Sequence, residues 1–318
     1  MPTRRAILAA GAMLPAVPAI AQQRPIRLIV TFPPGGSTDI LARLMAPAME
    51  RHLGSSLVVE NRGGANGAVA MAGVAQAAPD GTIFALDSGG ATTNPHLMHG
   101  LGFDYATAFT PVTQATIMPA LLVVRGDSPI RDLAGLEAHL RANPGRESYA
   151  SSGIGTGSHL SGALLMRRAG LQATHVPYRG GADQLNSIRR GDTLFTFSTI
   201  PTIAGVMRDG AIRPLVASTP QRATAYPEVP VVAESGHPGF SIYEFHGVYA
   251  PTGTPGDAVA RMAAAVRATM LDPELRPRFV RLGLEPAANG TEAFGAFLAR
   301  RREEMGALIR AEQIRLEG

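Results

Sequence analysis

The chain contains no cysteine, no tryptophan and no lysine, and only 5% of its 318 residues are aromatic. Without cysteine there is no disulfide, thiol nucleophile, zinc–thiolate site or lipidated cysteine. Without lysine there is neither a P-loop lysine nor Schiff-base chemistry, and every basic side chain is an arginine. Beyond the N-terminus no stretch has the roughly 18 uninterrupted apolar residues that span a bilayer. The formal charge of +4 falls to +2 once Arg4 and Arg5 are set aside, and the remaining arginines are scattered. That pattern argues against a nucleic-acid partner. The 45% hydrophobic and 17% charged content fits a globular protein with a sizeable core, and the length fits two ordinary domains.

The first residues read as an export signal. Thr3-Arg4-Arg5 is a charged head, Ala6 to Ile20 a modest apolar run, and Ala19-Ile20-Ala21 a small-x-small cleavage pattern. Residues 1–21 are therefore expected to be a cleaved signal, by the twin-arginine or the general route, and the protein is expected in the periplasm.

The strongest local pattern follows. Ile26 to Phe32 is a β-branched strand, Pro33-Pro34-Gly35-Gly36 a rigid turn, and Ser37-Thr38-Asp39 a capping sequence that opens an apolar-periodic helix. A glycine turn opening a helix presents free N–H groups and the positive end of the helix, which suits an anion. The same event recurs mid-chain. Tyr149-Ala150 leads through Ser151-Ser152-Gly153-Ile154-Gly155-Thr156-Gly157-Ser158 into a helix from His159 to Ala169. Between and beyond these units strands alternate with helices, which predicts a mostly parallel sheet with ligands at the carboxyl ends of strands. Taken singly, each loop is explained by a tight, well-capped βα turn. Two of them predict two lobes facing one cleft.

The candidates for ligand contact are Phe32, Pro34, Gly35, Gly36, Ser37, Thr38 and Asp39 in the first unit, and Ser152, Gly155, Thr156 and His159 in the second. Ser88, at the end of a strand, and Tyr178, Phe197 and Phe245, as apolar walls, complete the set. Asp39 reads first as a helix cap, His159 equally as a structural hydrogen-bond partner, and the aromatics equally as core. His96 and His99 lack zinc-protease spacing, and Pro95 argues that they sit in a loop. No metal, cofactor, nucleophile elbow or dinucleotide fingerprint is expected.

Several ordered motifs carry a resemblance. They include Phe32 to Asp39, Val59-Glu60-Asn61-Arg62-Gly63-Gly64-Ala65, Phe109-Thr110-Pro111-Val112, Val176-Pro177-Tyr178-Arg179-Gly180, Pro227-Glu228-Val229-Pro230 and Ala250-Pro251-Thr252-Gly253-Thr254-Pro255. Together they resemble the Bug family, periplasmic solute receptors of tripartite tricarboxylate transporters. The resemblance implies an α/β bilobal periplasmic-binding-protein fold of type II-like topology. Lobe 1 is expected over residues 24–121 plus 244–318, and lobe 2 over 122–243. It implies a non-catalytic, monomeric receptor for a small carboxylated metabolite — a dicarboxylate, amino acid or aromatic acid. Its partner would be a membrane permease, or else a membrane sensor. A periplasmic hydrolase on the same fold is the rival. The chain departs from the family pattern at Phe245-His246, where a tryptophan is usual, and at Asn186, where an aspartate is common.

Overall fold

The computed structural model describes residues 24–311 and 313–315, so the signal assigned to residues 1–21 lies outside the described residues. In chain order the strands and helices are β1 (Ile26–Val30), α1 (Ser37–Leu53), β2 (Leu57–Asn61), α2 (Ala68–Ala75), β3 (Ile83–Asp87), α3 (Gly90–Leu97), β4 (Phe109–Met118), β5 (Ala120–Arg125), α4 (Leu133–Ala142), β6 (Ser148–Ser151), α5 (Gly157–Ala169), β7 (Thr174–Pro177), α6 (Gly181–Arg190), β8 (Phe195–Thr199), α7 (Ile200–Arg208), β9 (Ile212–Ala217), β10 (Glu244–Pro251), α8 (Gly256–Leu271), α9 (Arg276–Arg281), β11 (Glu285–Pro286) and α10 (Thr291–Ala311).

These strands form two sheets, ordered β11-β4-β10-β3-β1-β2 and β7-β6-β8-β5-β9. In the first, β1 is parallel to β2 and β3, whereas β10 runs antiparallel to both β3 and β4. In the second, β6 is parallel to β7 and β8, while β5 runs antiparallel to β8 and β9. The expectation of mostly parallel sheets is thus corrected to two mixed sheets. The chain crosses between them at Pro119, which separates β4 from β5, and returns through residues 218–243 into β10.

Each sheet is covered on both faces, because its central strands are apolar on both sides. Leu28 and Val30 of β1 pack with Leu41 and Met45 of α1 and Met262 of α8. Ile29, between them, faces Met71 of α2 and Phe294 of α10 on the opposite side. In the second sheet Leu122 and Val124 face α4 and α5, and Leu121 and Val123 face α6 and α7. The end of α10 reaches the second lobe's core, where Ile309 is buried with Leu97.

Helix α3 also corrects an expectation: His96 lies on it rather than in a loop, although Pro95 is inside the helix. A proline there removes the bond to the carbonyl of residue 91. The Arg302 guanidinium fills that place, donating from Nε to Ala91 O at 3.2 Å.

Candidate functional site

The two glycine units have the same backbone form. Gly35 has φ +84° and Gly155 φ +78°, a region an L side chain enters only under strain. The next residue, Gly36 or Thr156, is extended and caps the helix, so α1 begins at Ser37 and α5 at Gly157. The first-turn N–H groups of a helix have no intrahelical acceptor and carry the positive end of its dipole. Both first turns border one cavity of about 460 Å³. Its wall includes Gly36, Ser37, Thr38, Ser88, Ser152, Thr156 and Ser158, with Phe32 and Phe197 as the apolar parts. A second cavity of about 330 Å³ continues past Ser88, Gly155 and Phe245. Pro34, Tyr178 and the exposed Arg179 sit further out, along an open cleft of about 1640 Å³.

The side chains are held by a dense polar network. Ser158 Oγ accepts from the Ser152 N–H at 3.0 Å and pairs with the hydroxyl of Thr156 at 2.9 Å. Thr156 Oγ1 accepts from the His159 N–H as the α5 cap. In the first unit the Asp39 carboxylate accepts from the Gly35 N–H at 3.0 Å and from Arg43 Nε at 2.9 Å. Burial pushes the Asp39 carboxyl up, but Arg43, Gly35 and Asn61 outweigh it and hold it below the ordinary range. Asp39 therefore stays anionic and fixes the turn from behind. It does not border the cavities, and neither does Gly35, whose part is conformational.

His159 is likewise behind the loop. Its Nδ1 accepts from the Gly155 N–H at 3.1 Å, and its ring stacks on His175 with centroids 3.9 Å apart. Burial lowers His159 to about 4; burial and the neighbouring His159 lower His175 to about 3. Both rings are neutral at pH 7. His175 Nε2 lies 2.7 Å from Ser151 Oγ, a serine–histidine pair in outline. Ser151 is fully buried, and a histidine lowered that far is a poor general base, so the pair is a structural tie.

The structure adds residues that sequence reasoning left out. Gln184 of α6 borders the cavity and donates from Nε2 to Phe197 O at 2.7 Å. Ser198, Thr199 and Thr202 add three hydroxyls. Most consequential is Glu244, the first residue of β10, which borders both cavities. Ser88 Oγ donates to its Oε2 at 3.1 Å. Burial pushes its carboxyl up to about 7; the Ser88 bond opposes this, and the nearby Asp87 adds to it. Asp87 itself is fully enclosed, accepting from Thr31 Oγ1 at 2.7 Å and from the Ala91 N–H at 3.1 Å. No local signal marks Glu244: it opens an apolar strand 156 residues from its hydrogen-bond partner.

Among the described residues no group of three or more His, Cys, Asp or Glu is placed to hold a metal, and no helix is long and apolar enough to cross a membrane. Two α/β lobes joined by crossing strands, with a polar cavity between the starts of two helices, define a periplasmic solute-binding protein fold. Comparison with known proteins sharpens this. Residues 41–314 match the model of the tripartite tricarboxylate transporter family receptor, and the chain belongs to that family, the Bug receptors. A Pseudomonas sp. protein encoded in the tcbD-tcbE intergenic region is 33% identical over 90% of this chain and 85% of its own length. BugT of Bordetella pertussis is 28% identical, over 98% and 96%. The structure of the periplasmic binding protein BugD superposes with a TM-score of 0.88 at 30% identity, covering 92% of this chain and 99% of BugD. A Rhodopseudomonas palustris protein solved with adipate gives 0.89 at 30% identity, with 92% and 99% coverage.

Proposed function

We propose that the protein is an exported, non-catalytic receptor that closes around one small carboxylated metabolite and delivers it to a tripartite tricarboxylate-type permease. The observation that carries this is the pair of helix starts, α1 and α5, bordering one hydroxyl-lined cavity in a chain of this family. Backbone N–H groups and hydroxyls hold a carboxylate without a basic side chain. The related proteins solved with adipate and with malate support a carboxylate as the ligand. In this reading the ligand touches Ser37, Thr38, Ser88, Ser152 and Thr156. Gly35, Gly155, Asp39 and His159 shape the loops, and Phe32, Phe197 and Phe245 form the apolar wall.

The two sheets support a division close to lobe 1, residues 24–121 plus 244–318, and lobe 2, residues 122–243, with the first crossing moved back to Pro119 because Ala120 and Leu121 already pair in the second sheet. Residues 1–21 would be removed on export, and the mature chain would act as a monomer in the periplasm. Thermal-shift screening of the mature protein against organic acids and amino acids, followed by calorimetry, tests the reading. Saturable one-to-one binding with the ligand recovered unchanged is expected. Conversion of any bound compound to product would overturn it in favour of a hydrolase.

A further inference from the structure

The cavity holds an acid and no base. Among the described residues that border the first cavity, Glu244 alone is ionisable, with no arginine or histidine. Glu244 enters from β10 and reaches across to the start of α5. A Cβ placed on Gly157 would lie 2.7 Å from its Cγ and Oε1, so the carboxyl fills the space a side chain would take there. Oε2 accepts from Ser88, while Oε1 accepts no hydrogen bond among the described residues. Glu244 borders both cavities, so whatever fills either one meets it.

The groups facing Glu244 are few. From β3 comes Asp87, a second buried acid that repels negative charge. From α10 comes Arg301, which borders the second cavity with Glu244 but is engaged elsewhere. It donates to Glu304 at 3.1 Å and to Tyr243 O at 3.4 Å, and lies over the Tyr243 ring. A ligand carboxylate placed beside Glu244 would meet two acids and, among the described residues, no free cation. An ammonium there would meet an acceptor in need of a donor, in a field that favours positive charge.

Resting on the receptor reading above, we infer that Glu244 selects an ammonium-bearing acid — an amino acid or ω-amino acid — rather than a simple dicarboxylate. The ligand carboxylate lies at the first turn of α1, on Ser37 and Thr38, and its ammonium donates to Glu244. Glu244 sits where a side chain of the opposite lobe would otherwise be, so it supplies the anion that a dicarboxylate would bring as its second charge.

The test is calorimetry with matched probes: 4-aminobutyrate against glutarate, 5-aminovalerate against adipate, and the common α-amino acids. An ammonium acid is expected to bind. Its affinity should rise from pH 5 to pH 8, with proton release read from buffers of different ionisation enthalpy. Glu244→Gln, checked for a cooperative unfolding transition, should weaken that binding about 100-fold, because one partner of a buried charged pair is lost. Binding of the dicarboxylates alone, with proton uptake and undiminished by Glu244→Gln, overturns this inference and leaves the receptor reading intact. Binding of an ammonium acid that Glu244→Gln does not weaken also overturns it. If no carboxylated probe binds, the receptor reading itself falls.

Discussion

A carboxyl held at about 7 inside a fold leaves a signature in the empty protein. Glu244 has an ordinary value of 4.5, so between pH 4.5 and 7 the folded chain binds more protons than the unfolded one. The contribution of Glu244 to stability must then decrease as pH rises through that window, and change no further above it. The expected decrease is on the order of 3 kcal/mol at most, from the size of the shift. Urea unfolding of the unliganded protein and of Glu244→Gln at pH 5 and pH 8 measures it, as the difference between the two pH profiles. Glu244→Gln should be relatively more stable at pH 8 than at pH 5. Parallel pH profiles for the two proteins would show that Glu244 is solvated in solution. The histidines act in the opposite sense. His159, His175 and His246 are lowered by burial to about 4, 3 and 3, so the stability they protect is present above 6.5 and is lost as pH falls toward those values. In NMR titration the ring protons of His159 and His175 should stay fixed from pH 8 to 5. Movement of both with midpoints near 6.5 would refute the stacked, neutral pair. None of these environments is legible in sequence. They arise where Glu244 meets Ser88 and Asp87, and where α5 lays His159 on β7, between partners distant in the chain.

The strand–glycine turn–helix unit is the element that the sequence does declare. A strand, a positive-φ glycine and cap residues occur in order at Ile26–Thr38 and again at Tyr149–Ser158, and the first unit adds β-branched residues and two prolines. The antiparallel pair β4–β10 is not local: Phe245 pairs with Ile117 and His246 with Thr116. Alternating βα segments therefore read as parallel sheets until these long-range partners are seen. Helix α3 escaped for a related reason, since the guanidinium that tolerates Pro95 comes from residue 302. The glycine turns give a prediction that separates shape from packing. A Cβ at Gly35 would lie 3.5 Å from Ala182, an ordinary contact, whereas one at Gly155 would lie 3.2 Å from Leu97 Cδ1 and 3.4 Å from Asn66 Nδ2. Gly35→Ala should therefore lose about 1–2 kcal/mol of stability through backbone strain alone. Gly155→Val should lose ligand binding at least tenfold while retaining a cooperative fold, because it also pushes Asn66 away. Equal affinity in Gly155→Val and the unmodified protein would remove the second turn from the site.

Across the whole molecule the lobes meet at the cleft and also beyond it, where Thr224 Oγ1 donates to Glu285 at 2.9 Å and the end of α10 enters the second core; the contacts at the cleft are the ones that ligand closure would use. Asn66 is the clearest. It lies on the first lobe between β2 and α2, at φ +49°, and its Nδ2 donates to Gly155 O at 3.0 Å in the second. The same amide bonds Asn94 Oδ1 at 2.8 Å, so loop, α3 and opposite lobe are joined at one point. A bond made only when the lobes are shut favours the closed state by its own net free energy, about 1 kcal/mol for a neutral hydrogen bond. Affinity falls by the fraction of molecules able to close, so losing the bond weakens binding without any ligand contact being removed. Asn66→Gly suits the experiment, because glycine accepts the positive φ that alanine would strain. The substituted protein should bind its ligand roughly 5–10-fold more weakly. Its unliganded form should have a larger radius of gyration by X-ray scattering, with ligand restoring the compact form. Unchanged affinity together with an unchanged radius would mean that the lobes are held shut by the crossing strands and by α10, whose end packs into the second core, rather than by contacts across the cleft.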